Sequence, residues 1–128
     1  MVVVSGDGSI MMNIQELATL KRYDLPVKIL LLDNSALGLV RQWQDLFYDG
    51  RQSEIDLSDN PDFCEVVKPF GLQAKRITKA TEIEEGLDFL LNTKAACLLH
   101  VIIDKQTNVW PLVAPGQSND NMLDKGYE

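Results

Sequence analysis

Val2-Val3-Val4-Ser5-Gly6-Asp7-Gly8-Ser9 and Val27-Lys28-Ile29-Leu30-Leu31-Leu32-Asp33-Asn34 are the stretches on which the fold turns. Each is a run of strand-forming residues that breaks off into small or polar turn residues. The second is almost continuously apolar, and Cys97 to Asp104 (CLLHVIID) repeats the pattern. An uninterrupted apolar run suits a strand covered on both faces, as in a parallel sheet. Strands are therefore expected at Val2 to Ser5, Val27 to Asp33, Gln73 to Thr78 and Cys97 to Asp104, with helical patterns between them. That order predicts an α/β fold, a three-layer parallel sheet with helices on both faces.

Four helices are expected. The first covers Asn13 to Arg22, where Asn13 and Glu16 have capping-box spacing, although a start one turn earlier is compatible with the pattern. The second runs from about Leu39 to Phe47, with Leu39, Val40, Trp43, Leu46 and Phe47 on one side. Without further information that stripe reads as core. A third follows Asn60-Pro61 and stops near Gly71, with Pro69 forcing the stop. The fourth starts at Thr81, with Glu84 completing a second capping box, and continues through Leu91. Beyond Asp104 the chain is rich in turn residues and ends in a polar tail.

Composition narrows the function classes. With 19 acidic and 12 basic residues the net charge is −7, which argues against a nucleic-acid binder. The apolar fraction of 45% excludes a disordered chain. No apolar run approaches the ~18 residues of a membrane helix, and Met1 to Val4 lacks the basic flank of a secretory signal. Cys64 and Cys97 have no metal-type spacing and read as small buried hydrophobes, so a cytoplasmic protein is expected.

Chemistry concentrates at two strand ends. Gly6-Asp7-Gly8-Ser9 follows the first strand, and Asp33-Asn34 closes the second. In an open parallel sheet, ligands bind beyond the carboxyl ends of the strands. Small-residue turns that lead into helices can aim backbone N–H groups at a phosphate. A carboxylate beside a phosphate repels it unless a cation lies between, and Asp7 with the Asn34 amide oxygen offers the hard oxygens that Mg²⁺ or Ca²⁺ prefers. A metal-bridged diphosphate site is one reading. A tight turn and a helix cap are the other, and each motif alone favours that plainer reading.

The resemblance to a known family starts from the Gly6-Asp7-Gly8-Ser9 motif followed, about 25 residues on, by Asn34 at a strand end, which is similar to the thiamine-diphosphate motif. It extends through GDGSIMMNIQELATLKRYDLPVKILLLDN (6–34), LGLVRQWQDLFYDGR (37–51), DNPDFCEVVKPFG (59–71), LLHVIID (98–104) and NVWPLVAPG (108–116). Over essentially the whole chain these stretches resemble the carboxy-terminal part of the acetohydroxyacid synthase (acetolactate synthase) large subunit. The Arg41-Gln42-Trp43-Gln44 segment is more specific to that family than the Gly-Asp-Gly motif.

The resemblance implies a thiamine-diphosphate-binding fold and roles for named residues. Asp7 and Asn34 would bind Mg²⁺ through side-chain oxygens and Ala36 through its backbone carbonyl. Gly6, Gly8 and Ser9 would hold the diphosphate with N–H groups around Leu37 and Gly38, and Leu39 would pack near the cofactor rings. Val40 and Trp43 would line the substrate channel, and Trp110 to Gly116 would form an arm over the site. Asp33 stands where many relatives have a first Asn.

At the level of the whole enzyme it implies condensation of pyruvate with a second 2-keto acid in branched-chain amino-acid synthesis. The partners implied are a homodimer or higher oligomer and a regulatory small subunit. Residues 1–128 are read as one domain fragment, cut at its amino-terminal end. In the family an activating glutamate comes from another domain of the partner subunit and FAD binds a middle domain. This fragment is therefore expected to bind no FAD and to be inactive alone.

Outside that constellation, His100 lies mid-strand and is read as a packed or hydrogen-bonded histidine rather than a ligand. Glu82, Glu84 and Glu85 are read as a solvated helix face. A non-catalytic module with an exposed apolar docking face is a competing reading, as is another thiamine-diphosphate decarboxylase or carboligase. Arg41 to Gln44 and the Trp110 to Gly116 arm weigh against the latter.

Overall fold

Side chains alternate across a strand, so an apolar run must be covered twice. In the computed structural model, which describes residues 1–124, Ile29 and Leu31 point to one face of the sheet and Leu30 to the other. Four parallel strands carry the pattern: β1 (Val2–Gly6), β2 (Lys28–Asp33), β3 (Gln73–Ile77) and β4 (Cys97–Ile102). Their spatial order is β1-β2-β4-β3. The two near-continuous apolar runs, β2 and β4, are the central pair, as the sequence pattern requires.

On one face Ile29, Leu31 and Leu98 pack with Ile10 of α1 (Asp7–Met12) and Leu17 of α2 (Glu16–Arg22). Phe63 and Val67 of α4 (Phe63–Val67) complete that layer. On the other face Ile77, Cys97 and Leu99 pack against Leu90 of α5 (Ile83–Asn92). The expected α/β fold with helices on both faces is the observed one. Between β2 and α4 lies α3 (Gly38–Phe47), whose apolar side is not part of either core. A short antiparallel ribbon, β5 (Leu112–Val113) with β6 (Met122–Leu123), adds structure where only turns were expected. The last four residues of the polar tail lie outside the described residues.

Helix boundaries differ from expectation for local reasons. Instead of one helix from Asn13, α1 begins at Asp7, directly off β1, and Asn13 ends it, its N–H bonding to Ile10 O at 3.0 Å. The cap of α4 is Asp62 rather than Asn60: its Oδ1 accepts from the N–H groups of Cys64 (2.9 Å) and Glu65 (3.4 Å). That helix yields to a 3₁₀ turn over Lys68–Phe70, which holds Pro69, and Gly71 closes it at φ +77°. Proline supplies no N–H to continue a helix, and glycine takes the left-handed exit cheaply. At the fourth helix the box shifts two residues back. Glu82, not a freely solvated side chain, accepts from the N–H groups of Thr78 (2.8 Å) and Lys79 (3.0 Å), while Glu84 and Glu85 are exposed. Of the two cysteines Cys97 is buried, whereas Cys64 is only half-buried. No helix among the described residues is long and apolar enough to cross a membrane.

Candidate functional site

Two strand ends make the site. Parallel pairing sets Gly6 beside Leu32, so the chain leaves β1 and β2 at the same edge. After β1 it turns straight into α1, and Asp7 is the first helical residue, 3% exposed. After β2 it passes through Asn34, Ser35 and Ala36 before α3 begins at Gly38. Neither helix start has a side-chain cap, at Gly6 or at Leu37. Uncapped N–H groups at a helix start are the natural seat for an anion.

A cavity of about 370 Å³ opens between these turns. Gly6, Asp7, Gly8, Ser9, Asn34, Ala36, Leu37, Gly38, Leu39 and Val40 all line it. Of the residues singled out from the sequence, Trp43 stands apart from this lining, one turn further along α3 with its ring edge against Phe47 at 6.0 Å. Sequence reasoning missed Met12, Leu32, Ile103, Thr107 and Val109, which also line the cavity. The last three follow β4, and no spacing rule relates them to a motif at residue 7. Ile103 is brought in by the sheet, its N–H bonding to Asp33 O at 2.8 Å.

The loop after β2 is tied down from several sides. Asp33 Oδ1 accepts from Ser35 N at 2.8 Å and from Ser35 Oγ at 3.3 Å, and Asn34 Oδ1 accepts from Ala36 N at 3.3 Å. These local bonds accompany a left-handed Ser35, φ +52°. Leu37 N–H bonds Ile55 O, and Leu57 N–H bonds Ser35 O, at 2.9 and 3.0 Å. That pattern makes Ala36 and Asp56 a non-hydrogen-bonded antiparallel pair, so the Ala36 carbonyl points away from its partner segment. Gly38 leaves room beside it for the Asn34 amide: a Cβ there would meet Asn34 Nδ2 at 2.6 Å and the amide would have to shift.

Charge is concentrated here without a full set of partners. Asp7 Oδ2 is buried with no donor among the described residues, and the Asp7 carboxyl is set against that of Asp33. Burial, with the Asp33 carboxylate alongside, holds the Asp7 carboxyl above its ordinary value. Burial pushes Asp33 the same way, but hydrogen bonds from His100 and Ser35 outweigh it and bring Asp33 below the ordinary value. His100 is 3% exposed, with Nε2 2.7 Å from Asp33 Oδ2 and its ring edge-on to Phe63 at 5.6 Å. It is both packed and hydrogen-bonded, as expected from its place in the strand. A carboxylate with a buried oxygen that has no donor, on a cavity that the Asn34 amide and Ala36 also line, offers the oxygen ligands that a hard divalent cation fits. The residues present therefore fit a metal-diphosphate group.

The apolar stripe of α3 is not core. Leu39, Val40, Trp43 and Phe47 are 51, 45, 36 and 36% exposed and Leu46 is half-buried, whereas Arg41 and Gln42 are buried at 2 and 0%. Gln42 pairs with the backbone of Val109 in both directions, each bond 2.9 Å. Arg41 donates to Gln106 Oε1 (3.1 Å), Thr107 O (3.3 Å) and Asn108 Oδ1 (2.6 Å). The polar side of α3 thus holds residues 106–109 inward, and the apolar side is turned outward beside the cavity.

Fold and site define the class: an α/β thiamine-diphosphate-binding domain. Residues 1–101 match the family of the thiamine pyrophosphate enzyme C-terminal TPP-binding domain, and the chain belongs to that family. It is 56% identical over 97% of its length to the acetolactate synthase isozyme 2 large subunit of Escherichia coli K12, covering 23% of that protein. It is 41% identical over 95% of its length to a probable acetolactate synthase large subunit of Methanocaldococcus jannaschii, covering 20% of it. The chain thus spans about a fifth of the length of these relatives, consistent with the carboxy-terminal part of such a subunit. Among solved structures, the Rhodococcus jostii RHA1 thiamine diphosphate-dependent 4-hydroxybenzoylformate decarboxylase has the same fold. Its TM-score is 0.71 at 23% identity, over 81% of this chain and 20% of that one.

Proposed function

We propose that this chain forms the Mg²⁺-diphosphate half of the active site of an acetolactate synthase catalytic subunit. One observation carries the reading: Asp7, whose Oδ2 is buried without a donor, lines with Asn34 and Ala36 a cavity between two uncapped helix starts. Asp7 and Asn34 hold the metal by side-chain oxygens and Ala36 by its carbonyl. The second lone pair of the Asn34 carbonyl oxygen serves for this while the first accepts from Ala36 N–H. Gly6, Gly8, Ser9 and the N–H groups around Leu37 and Gly38 hold the diphosphate. Leu39 packs on the cofactor rings, and Val40 and Trp43 form the outward wall that a substrate passes. Bound thiamine diphosphate supplies the electron sink for decarboxylating pyruvate and joining the two-carbon unit to a second 2-keto acid.

With a net charge of −7 the chain offers few cations near these turns, so diphosphate binding depends on the metal. The reading brings with it a homodimer or higher oligomer, a regulatory small subunit as partner, a cytoplasmic location, and FAD held outside these residues. Calorimetric titration with thiamine diphosphate and Mg²⁺ tests it. Saturable, Mg²⁺-dependent binding is expected, lost in Asp7→Ala. No binding by the parent chain would leave a non-catalytic module. The 128 residues alone are expected to form no acetolactate from pyruvate.

A further inference from the structure

The loop that carries Asn34 and Ala36 is held by a chain of groups on its far side. Arg76 donates from Nε to His100 Nδ1 at 3.2 Å. A guanidinium N–H can only donate, so Nδ1 must present its lone pair, and the ring proton must sit on Nε2. Nε2–H then donates to Asp33 Oδ2 at 2.7 Å. The other Asp33 oxygen, Oδ1, accepts from Ser35 N and Oγ, the residue with φ +52°. Arg76 itself is anchored by Asp62 at 2.5 Å, the residue that caps α4. The elements involved are β3, β4, the end of β2 and the start of α4.

We propose that His100, locked in one tautomer by Arg76, is a positioning residue for the metal-binding loop. It orients Asp33, and Asp33 in turn holds the Ser35 bend that aims Asn34 and Ala36 at the site. This rests on the metal site proposed above for its purpose, but the positioning of the loop is testable without the metal. Groups behind a ligand set commonly matter on the order of 10- to 100-fold in metal affinity. A left-handed serine persists only where its surroundings over-determine it, and here Asp33 supplies that constraint.

The test compares His100→Gln with His100→Phe. Glutamine carries an N–H donor at about the reach of Nε2 and an oxygen that can accept from Arg76. Phenylalanine keeps the ring against Phe63 and loses both bonds. Two readouts are taken on the 128-residue chain: amide exchange at Ser35 and Ala36 by NMR without metal, and binding of Mn²⁺ alone by electron paramagnetic resonance. The Gln variant should match the parent in both. The Phe variant should exchange at least about tenfold faster at Ser35 and bind Mn²⁺ on the order of 10- to 100-fold more weakly.

Should the Phe variant not fold because it strands the Asp33 charge, His100→Asn takes its place. Its shorter amide can accept from Arg76 but does not reach Asp33 and leaves room for water there. The same losses at Ser35 and in Mn²⁺ binding are expected, and unchanged exchange again overturns the proposal. Unchanged exchange in a folded Phe variant overturns the proposal. So does a Gln variant as impaired as the Phe variant, which would leave only packing. The expected exchange pattern in a parent chain that binds no Mn²⁺ supports the positioning and breaks the metal reading instead.

Discussion

Helices α3 and α4 carry apolar stripes of the same kind and do opposite things with them. In α4 the stripe goes inward: Phe63 and Val67 are each 1% exposed, while Glu65 faces solvent. In α3 the inward residues are Arg41 and Gln42, and the stripe faces out. The difference lies in what each inner side meets. Inside α4 are the apolar side chains of β2 and β4, which only apolar groups can match. Inside α3 is a stretch of irregular backbone, residues 106–109, whose N–H and C=O groups need partners. A buried amide or guanidinium satisfies them, whereas a leucine would orphan them. Periodicity therefore reports that a helix has two sides, but not which of them is buried.

The contrast can be broken most directly at Phe63. Phe63→Ala should destabilise the fold by about 3–5 kcal/mol in urea titration, the cost of a large cavity in a packed layer. A loss below about 1 kcal/mol would mean α4 is not core in the sense claimed. Gln42→Leu comes next. Apolar by volume, it should still cost about 1–3 kcal/mol, because both backbone groups of Val109 lose their partner. Residues 104–113 should become the preferred site of limited proteolysis; a more stable variant would overturn the inverted reading of α3.

Acidification sharpens the difference at the site end of α3. On the proposed reading Asp7 is a metal ligand, and a protonated carboxyl is a poor one, so protons compete with metal below its pKa. That pKa is raised by burial above the ordinary 3.8, so the competition begins at a higher pH than for a free carboxylate. Affinity for Mn²⁺ should be flat above that point and fall about tenfold per pH unit below it. A decline beginning only below the ordinary carboxylate value would refute the account of Asp7. Smallest of all is Trp43→Ala, which should cost about 0.5–1.5 kcal/mol, the worth of its edge contact with Phe47 on a part-exposed face rather than that of a packed core residue. A core-sized loss there would restore the conventional reading of the stripe.

Much of the fold was legible because it depends on short patterns. The runs at β2 and β4 announce strands covered on both faces, and the structure makes them the central pair. Helix starts were less legible, since several Asn, Asp and Thr residues near each start can cap. Which one does so depends on where the chain arrives: Asp62 rather than Asn60 caps α4, and it also meets Arg76 from β3. At the site, the ten lining residues named from the sequence lie within two local segments, 6–9 and 34–40. Ile103, Thr107 and Val109 reach the same cavity from more than 60 residues away in sequence, with no motif to mark them.

By itself the sequence determined the alternation of strands and helices, the two strand-end turns and the acidic balance. Each of these follows from neighbouring residues, whose spacing sets periodicity, turn chemistry and charge. Tertiary structure alone decided which side of α3 is buried, that Asp7 Oδ2 lacks a donor, and that His100 stands behind Asp33. Those facts depend on groups brought together across the sheet. There, burial and hydrogen-bond satisfaction override what a local pattern prefers.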